Sequence, residues 1–429
     1  MGAPQEIDLP SSSSPSLILA HPTPAERERT WTLTQRAWGK VLSAEDYLHR
    51  EEYLLTVPVA KGGGVTQWIL TIKSLPPDQR PILSSCDTIR KTAFVSSSTG
   101  TGVEEVVAHG IGAVFTDPVY RGRGYASKMM AMIGEALKRH QGTPMKDAIG
   151  NAKSDMLTSM HTPPPPTGLP PVAFSVLFSD IGKTFYASRG WTAHPSTHLS
   201  FPPLPQSAPN SDARTDDAST SASPVGYHEL AELCARDEAL LRKRMAQMLP
   251  PSSSTTPGTP HSFVALAPNL DSILWHMMRE DFITNRIFGR TPTVRGGVYG
   301  SRGQRIWAVW TRAYQIAPVL PPASMEDLSD ENTLHILRLV VEDESCTDEY
   351  LAEGMRAVLH LARREAFEWG TGHVELWNPV PRLEDAVSRA GMAYEVVERE
   401  VDSIPSLMWY GAGPADGVVW VANEKYAWY

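Results

Sequence analysis

The sequence predicts a mixed α/β fold, because strand-like and helical patterns alternate in two parts of the chain. An apolar run over 106–116 is followed by an abrupt turn at Asp117-Pro118 and by a helical pattern over 125–140. The last third, over 334–401, repeats the order of strand, helix, strand, helix and strand. These patterns predict two lobes, each with a sheet and flanking helices.

The central strand and helix have the clearest signals. Val114, Phe115 and Thr116 have the β-branched and aromatic character of a buried strand. In the helix that follows, apolar side chains recur every four residues, at Tyr125, Met129, Ile133 and Leu137. This spacing predicts an amphipathic helix whose apolar stripe packs against a sheet.

The rest of the first lobe is predicted from caps and short apolar runs. Thr23, Pro24 and Glu26 are typical of a helix start, with Thr23 as the cap and Glu26 near the positive end of the helix. In chain order, we predict a strand at 17–20, helices at 23–38 and 43–52, strands at 67–72, 82–85 and 91–97, a strand at 172–178, a helix at 180–189 and a strand from 190.

The second lobe is predicted from the same signals. In chain order, we expect helices at 227–248 and 270–288, strands at 297–299, 305–312 and 334–341, a helix at 348–369, a strand at 373–377, a helix at 383–390 and a strand at 393–401.

At 429 residues the chain is long enough for two domains. We predict a disordered tail over 1–16, a first lobe over 17–204, a linker over 205–224 and a second lobe over 225–429. The first lobe contains a proline-rich insertion over 142–171, because four consecutive prolines cannot form a regular element.

The composition excludes several function classes. A formal net charge of −9 argues against a general binder of nucleic acid or membrane surfaces. No apolar run reaches transmembrane length, and we expect a cytoplasmic protein without a secretory segment. Three cysteines lie far apart without metal-ligand spacing, so no metal site is expected. Cys86 is interpreted either as a buried neutral thiol or as a nucleophile.

A glycine-containing loop joins the central strand to its helix. It reads Arg121-Gly122-Arg123-Gly124-Tyr125-Ala126. Glycines allow the backbone to direct N–H groups toward one point beside the helix start, and such an arrangement attracts phosphate. The loop has neither Gly-x-Gly-x-x-Gly nor Gly-Lys-Ser/Thr, so it fits neither a dinucleotide fold nor a P-loop. The remaining alternative is a glycine turn without a ligand.

The loop fits Arg-x-x-Gly-x-Ala, and the segment before it reads Val-Phe-Thr-Asp-Pro-Val-Tyr. Together they resemble the acyl-CoA motif of the GCN5-related N-acetyltransferase (GNAT) superfamily. The resemblance implies a mixed, mostly antiparallel sheet flanked by helices, with acetyl-CoA as the acyl donor. It also implies that the donor is bound by Val114, Phe115, Thr116, Arg121, Gly122, Arg123, Gly124, Tyr125 and Ala126.

A second fragment, over 177–191, resembles the superfamily's pattern Asn-x-x-Ala-x-x-Phe-Tyr-x-x-x-Gly-Phe. The resemblance implies that Tyr186 lies near the donor sulfur and protonates the departing thiolate. A phenol with an ordinary pKa near 10 is suited to that step. Ser179 stands where the donor-binding Asn is usual, and Gly182 where Ala is usual. The alternative role for Tyr186 is that of a core aromatic residue.

Four longer fragments, at 84–91, 179–186, 307–312 and 423–428, resemble the fungal lysine N6-acetyltransferases of lysine breakdown. The resemblance implies an amine acceptor, with free lysine competing against other small amines. In the second lobe, the segment 342–348 has no glycine and four acids, which would repel a pyrophosphate. The second lobe is therefore expected to resemble the same fold without a cofactor.

Transfer to a primary amine with a pKa near 10.4 requires a group that removes a proton. Candidate bases are Glu104, Glu105 and His109, which precede or open the central strand, Asp180, which opens the helix that carries Tyr186, and Asp87. Each is alternatively a solvated charge or a helix cap, and the sequence leaves the choice open.

The C-terminal segment 417–429 is apolar and aromatic up to Tyr429. Exposing these side chains would be unfavourable, so the end is predicted to be docked. In one group of multi-lobe acetyltransferases the terminus takes part in proton transfer. By that resemblance, the Tyr429 carboxylate holds or deprotonates the acceptor ammonium. The alternative is a terminal strand that completes a sheet.

These observations favour an acetyl-CoA-dependent N-acetyltransferase in which a small-molecule amine attacks the thioester directly. The alternatives are a non-catalytic acyl-CoA-binding module and an acetyltransferase of protein lysines or of another amine. No nucleic-acid or membrane partner is expected, and the oligomeric state is left open.

Overall fold

The computed structural model describes residues 9–98, 100, 102–139, 170–205, 221–248 and 261–429. Most of the predicted proline-rich insertion and of the predicted linker lies outside the described residues. In chain order, the strands are β1 Leu17–Ala20, β2 Val65–Ile72, β3 Ser84–Ser97, β4 Val103–Phe115, β5 Val172–Ser179, β6 Thr192–Ala193, β7 Thr197–Phe201, β8 Ser223–Val225, β9 Ser262–Leu266, β10 Gly296–Tyr299, β11 Ile306–Ala313, β12 Ser329–Val341, β13 Thr371–Trp377, β14 Glu395–Glu398, β15 Ile404–Trp409 and β16 Val418–Trp420. The helices are α1 Pro24–Trp38, α2 Ala44–Leu54, α3 Tyr125–Arg139, α4 Thr184–Ala187, α5 Tyr227–Met245, α6 Leu270–Phe288, α7 Asp348–Glu368 and α8 Pro381–Arg389.

The strands form two sheets, and the predicted mixed α/β class is confirmed. The first sheet has the order β1-β2-β3-β4-β5-β15-β6, with β9 paired to β3 and β16 to β9. The second has the order β14-β7-β13-β12-β11-β10-β8. Each sheet is mostly antiparallel and contains a parallel pair joined through a helix, β4-α3-β5 in the first and β12-α7-β13 in the second. In the first sheet β9 and β16 also pair in parallel. The internal repeat expected from the sequence is therefore present in the architecture.

Most predicted elements are present, with shifted ends. The two predicted strands at 82–85 and 91–97 form the single long strand β3, and the predicted helix at 180–189 is the shorter α4. The apolar stripe of α3 is buried as predicted, since Tyr125, Met129, Ile133 and Leu137 are at most 2% exposed. The sequence did not predict β8, β9, β15 or β16.

Two strands cross between the lobes that the sequence suggests. β7 precedes the predicted linker but lies in the second sheet, between β13 and β14. β15 comes from the last part of the chain but lies in the first sheet, between β5 and β6. The predicted boundaries at 204 and 225 therefore do not follow the division into sheets, because the edge of β5 is completed by a distant segment.

One of the two large apolar cores joins the two sheets. It contains Phe174 and Val176 of β5 together with Trp307 of β11 and Leu337 of β12, all at most 1% exposed. Separating the two sheets would expose these apolar faces to water, which is unfavourable.

The N-terminal segment 9–16 is ordered. Leu9 packs against the core under α3, and the carbonyl of Pro10 accepts a hydrogen bond of 2.7 Å from the hydroxyl of Tyr125. The backbone N–H of Lys73 donates to the carbonyl of Ser16 over 2.8 Å. The prediction of a disordered tail is therefore wrong for residues 9–16, because local hydrogen bonds and one partly buried leucine outweigh the Ser/Pro-rich composition. Residues 1–8 lie outside the described residues.

Residues 1–205 expressed alone are expected to be unfolded or insoluble. Without β15, the edge of β5 loses its partner, and the face that packs on β11 and β12 is exposed. Circular dichroism and gel filtration of the fragment measure this outcome. The matched control is the full chain cleaved at a protease site inserted within 206–220, which should remain assembled. A monomeric fragment that melts cooperatively would contradict the prediction.

Neither a membrane span nor a metal centre is found in the part of the chain that the structure describes. There, no helix is long and apolar enough to cross a bilayer. The same residues contain no group of three or more His, Cys, Asp or Glu side chains that could hold a metal ion.

Candidate active site

A bulge in β4 marks the centre of the candidate site. Ser85 of β3 pairs with Phe115, whereas Asp87 pairs with Gly112, so β4 uses one residue more than β3 over this stretch. Ala113 in the bulge has a φ of 50°, which side-chain-bearing residues rarely adopt. Bulges of this kind redirect backbone groups and are frequent beside active sites.

The parallel pair of β4 and β5 opens at the same level. The pairing between the two strands ends at Ile111 and Leu177, although β4 continues to Phe115 and β5 to Ser179. Within the described residues, residues 112–115 of β4 therefore have no paired residue in β5. Val114 and Phe115, both predicted to bind the donor, lie in this partly exposed stretch.

The predicted phosphate loop begins directly after β4. Gly122 and Gly124 have φ values of 75° and 81°, and residues 121–124 are exposed. The guanidinium of Arg121 lies over the ring of Phe115 at 5.4 Å, and its Nε donates to the carbonyl of Thr116 over 3.1 Å. These contacts order the loop beside the first free N–H groups of α3, as an anion site requires.

Three of the predicted donor-binding residues have structural contacts of their own. The hydroxyl of Thr116 is 2.7 Å from that of Ser84, and the side chain of Tyr125 is buried in the core. Tyr125 can therefore face a ligand only with its backbone. Ser179 donates to the carbonyl of Gly182 over 2.7 Å, so its hydroxyl closes the turn before α4.

The N-terminal segment also reaches the loop. A Cβ atom placed on Gly124 would lie 2.8 Å from the Oγ of Ser12. No local pattern predicts this contact, because segment 9–16 is brought to the loop only by the docking of Leu9 and Pro10.

Tyr186 lies on α4 and packs between the core and the site. Its side chain is 8% exposed, and its ring meets that of Phe185 edge-on at 4.9 Å. Burial, followed by the charges of Cys86 and Asp180, raises the pKa of the Tyr186 phenol. The phenol therefore stays protonated as a hydrogen-bond donor. Burial also raises the pKa of the Cys86 thiol, which supports the interpretation of Cys86 as a neutral core residue.

The acids predicted on β4 are remote from the bulge. Glu104 and Glu105 are exposed at the start of the strand, and Glu105 forms an ion pair with Arg242. Gly112 follows Glu104 by eight residues, which in a strand corresponds to about 26 Å. Glu104 and Glu105 are therefore corrected to surface residues, and at this distance they cannot act on an acceptor at the bulge. His109 precedes the bulge on the same strand.

Asp180 links the turn before α4 to the residue that precedes β15. Its Oδ1 accepts a hydrogen bond of 3.0 Å from the backbone N–H of Ser403. Burial raises its pKa, and this hydrogen bond acts in the opposite direction. The residue at the cap position of α4 is Lys183, so Asp180 does not cap that helix as the alternative reading suggested.

Asp87 is the carboxylate at the bulge. It pairs across the sheet with Gln67 of β2 and Gly112 of β4, and its side chain is half-buried. It accepts hydrogen bonds from the Gln67 amide and the Tyr429 hydroxyl. Burial and then the charge of Glu51 raise the pKa of Asp87 to about 7, although both hydrogen bonds oppose this shift.

The prediction that the C-terminus is docked is confirmed. Trp420, Tyr426 and Ala427 are buried, and β16 adds a short strand beside β9. The ring of Tyr429 packs so closely on β4 that a Cβ atom on Gly112 would lie 2.3 Å from its Cδ1. Burial and the charge of Asp87 raise the pKa of the Tyr429 phenol. The phenol is therefore placed at the site, whereas the role of the terminal carboxylate stays a prediction.

Helices from both parts of the sequence pack beside Tyr429, close to Asp87. Trp275 of α6 lies against the Tyr429 ring with a centroid distance of 4.9 Å. Tyr53 of α2 stacks on Phe282 of α6 at 5.5 Å. Glu51 of α2 is 18% exposed and forms an ion pair with Arg50. We use the term acceptor chamber for the group of neighbouring side chains Asp87, Tyr429, Glu51, Trp275 and Arg279.

The sequence missed most of the acceptor chamber. It named Asp87 and Tyr429, but not Glu51, Trp275 or Arg279. The other three became visible only when α2 and α6 were packed together.

Comparison with known families gives a match to the second half of the chain. The family described as LYC1 GNAT-like C-terminal domain matches residues 198–429. A lysine acetyltransferase of Yarrowia lipolytica is 31% identical over 170 residues, which are 39% of this chain and 38% of that protein. The chain thus matches less than two fifths of the length of this relative. An uncharacterized protein of Saccharomyces cerevisiae is 22% identical over 299 residues, 64% of this chain and 67% of that protein.

Solved structures align over most of the chain with low similarity scores. A probable N-acyltransferase from Enterococcus faecalis shares 12% identity with a TM-score of 0.49, covering 91% of this chain and 72% of that one. A GCN5-related N-acetyltransferase from Anabaena variabilis shares 12% identity with a TM-score of 0.47, covering 92% and 73%.

Proposed function

Because the chain belongs to the LYC1-like GNAT family, we propose that it is a cytoplasmic N-acetyltransferase that transfers an acetyl group from acetyl-CoA to a small-molecule primary amine. The side-chain amine of free lysine is the leading candidate acceptor. The observation that carries the proposal is the position of Asp87 beside the bulge in β4, just beyond the point where the pairing of β4 with β5 ends. The raised pKa of Asp87 suits a base at neutral pH.

The chain's own residues fit an acyl-CoA. Gly122 and Gly124 have positive φ values and leave backbone N–H groups exposed at the start of α3, where a pyrophosphate is stabilised. Arg121 and Arg123 add positive charge to the same exposed loop. An acyl-CoA bound there supplies a thioester as the acyl donor. Backbone N–H groups at the end of β4 are available to polarise its carbonyl.

At neutral pH the acceptor arrives as an ammonium ion, so the first step is the loss of a proton. Asp87 accepts this proton directly or through a water molecule, because its pKa of about 7 leaves it partly ionised. The neutral amine then attacks the carbonyl carbon, and the C–N bond forms as the C–S bond breaks. The nitrogen loses its second proton as the amide forms, and a proton is returned to the departing thiolate to give free CoA. The phenol of Tyr186, which is protonated, donates a hydrogen bond to the departing sulfur.

Tyr186→Phe is expected to lower kcat by about 10- to 100-fold while the affinity for acetyl-CoA changes less than threefold. The ring keeps its packing in the core, and only the hydroxyl donor is lost. Single-turnover kinetics and a titration with CoA measure the two quantities separately. An unchanged kcat would assign protonation of the thiolate to water or to another group.

Steady-state release of free thiol with a panel of amines tests the proposal. The panel comprises lysine, ornithine, cadaverine, spermidine and a lysine-containing peptide, each with acetyl-CoA and with longer acyl-CoAs. Amine-dependent release with acetyl-CoA supports the transferase. Tight CoA binding without release for any amine would instead support the non-catalytic binding module. Release with the peptide alone would support a protein acetyltransferase.

A further inference from the structure

The last three residues of the chain lie along one face of β3. Asp87, Ile89 and Lys91 share that face, because successive side chains of a strand alternate between its two faces. The hydroxyl of Tyr429 donates to Asp87, and its ring packs in one apolar cluster with Ile89. The Nζ of Lys91 donates to the carbonyl of Ala427 over 3.4 Å. The end of the chain therefore runs along β3 from Lys91 toward Asp87.

Two glycines of β4 allow the terminal residue to lie close to the sheet. Gly112 pairs with Asp87, and Gly110 lies two residues earlier on the same face of β4. A Cβ atom on Gly110 would lie 3.4 Å from the Cε of Lys91 and 3.8 Å from the Cβ of Tyr429. The side chain of Lys91 and the terminal residue are therefore neighbours above Gly110.

Lys91 occupies this position without an acidic partner. Its side chain is 5% exposed, and within the described residues no carboxylate pairs with it. Burial lowers the pKa of Lys91 to about 8. The charge of Lys91 acts on His276, whose Nε2 lies 3.2 Å from the carbonyl oxygen of Tyr426 in the same terminal segment. Burying an amine in this way is unfavourable for folding, so stability alone does not account for a lysine here.

Lys91 is too far along β3 to act directly on Asp87. The charged and hydrogen-bonding groups that act most strongly on Asp87 are Glu51, Gln67, Tyr429 and Arg27. Lys91 follows Asp87 by four residues, which in a strand corresponds to about 13 Å. An effect of Lys91 on Asp87 must therefore pass through the terminal residue that lies between them.

We infer that Lys91 is a positioning residue that holds the end of the chain on β3, so that the Tyr429 hydroxyl stays on Asp87 during proton removal. The inference rests on the proposed transferase function, in which Asp87 is the base. The buried amine lowers the stability of the fold but orders the chain end. Such a combination is usual where a site requires fixed geometry.

Lys91→Met tests the inference, because methionine keeps an unbranched apolar stem and removes the donor. The midpoint of the kcat/KM profile should move to higher pH by about one unit, since Asp87 loses a hydrogen bond that stabilises its ionised form. Lys91→Met combined with Tyr429→Phe should have the same midpoint as Tyr429→Phe alone, because both changes remove the same hydrogen bond. The melting temperature should not fall, since an apolar group replaces a buried charge.

Digestion with a carboxypeptidase measures the order of the chain end without turnover. Tyr429 should be released from Lys91→Met at least about tenfold faster than from the wild-type protein, because local opening exposes the terminal residue. Arg90→Met is the matched control, since Arg90 lies on the other face of β3 and donates to the carbonyl of Gly62 over 3.1 Å. It should equal wild type in the pH profile and in the rate of digestion.

An unchanged midpoint in an active Lys91→Met protein would overturn the inference, whatever the rate of digestion, and the proposed function would stand. Additive shifts in the double variant would also overturn it, because Lys91 would then act on Asp87 without Tyr429. A lower melting temperature or a failure to fold would assign Lys91 a structural role instead. Absence of thiol release by the wild-type protein with every amine would overturn the proposed function and this inference together.

Discussion

Asp87→Asn is expected to lower kcat by about 100- to 10,000-fold, the contribution usual for a general base. Asparagine has the same shape and keeps hydrogen-bonding capacity toward Gln67 and Tyr429, but it cannot accept the proton of the acceptor ammonium. The affinity for acetyl-CoA should change less than threefold, because the phosphate loop lies on a different element. Initial rates and CoA titration measure the two effects.

Glu104→Gln is the matched control, since it removes a carboxylate at the remote start of β4. Its rate should equal that of wild type. A rate above one tenth of wild type in Asp87→Asn would assign proton removal to another group, with the terminal carboxylate of Tyr429 as the next candidate.

The pH profile gives a second measurement on the same residue. Asp87 must be ionised to act, so kcat/KM should increase with pH through about 7 and level off above it. The Tyr429 hydroxyl stabilises the ionised form of Asp87, so its removal raises the pKa of Asp87. In Tyr429→Phe, the midpoint of the profile should therefore move to higher pH. A midpoint that moves to lower pH would contradict the arrangement of the pair.

Local patterns predicted the donor side of the site, because each of its features lies within a short stretch of sequence. The strand, the glycine loop and the amphipathic stripe of α3 all fall within residues 106–140, and neighbouring positions determine them. Docking of the C-terminus was equally predictable from its aromatic composition. These features depend on the period of apolar residues and on the conformational freedom of glycine, which are properties of the local sequence.

The acceptor side depends on which distant segments pair, and a single sequence does not specify that. β15 was not recognised as a strand, and β7 was assigned to the wrong lobe, because sheet partners are chosen by long-range packing. The position of Arg279 near Glu51 follows only from the packing of α6 against α2. The ordered segment 9–16 was missed because its composition resembles that of a mobile tail.

The exchange of strands also explains why the chamber needs the whole chain. Asp87 and Glu51 come from the first part of the sequence, whereas Arg279, Trp275 and Tyr429 come from the second. Since β7 and β15 tie the two sheets together, the segments that carry these side chains are held in a fixed relation. The second half thus supplies the wall of the acceptor chamber, a role that needs no glycine loop at 342–348.

Gly124→Glu is expected to weaken acyl-CoA binding at least 100-fold, with the fold retained. At a φ of 81° a side chain is strained, and its Cβ would lie 2.8 Å from the Oγ of Ser12. The added carboxylate would also repel a pyrophosphate at the start of α3. Gly124→Ala separates the two effects, since it introduces the strain without the charge, and it should lose less affinity than the Glu variant.

CoA titration by calorimetry measures the binding, and a thermal melt checks that both variants are folded. Because the loop is exposed and outside the apolar cores, the melting temperature should change by only a few degrees. Wild-type affinity in a folded Gly124→Glu protein would refute the assignment of residues 121–126 as the donor's phosphate site.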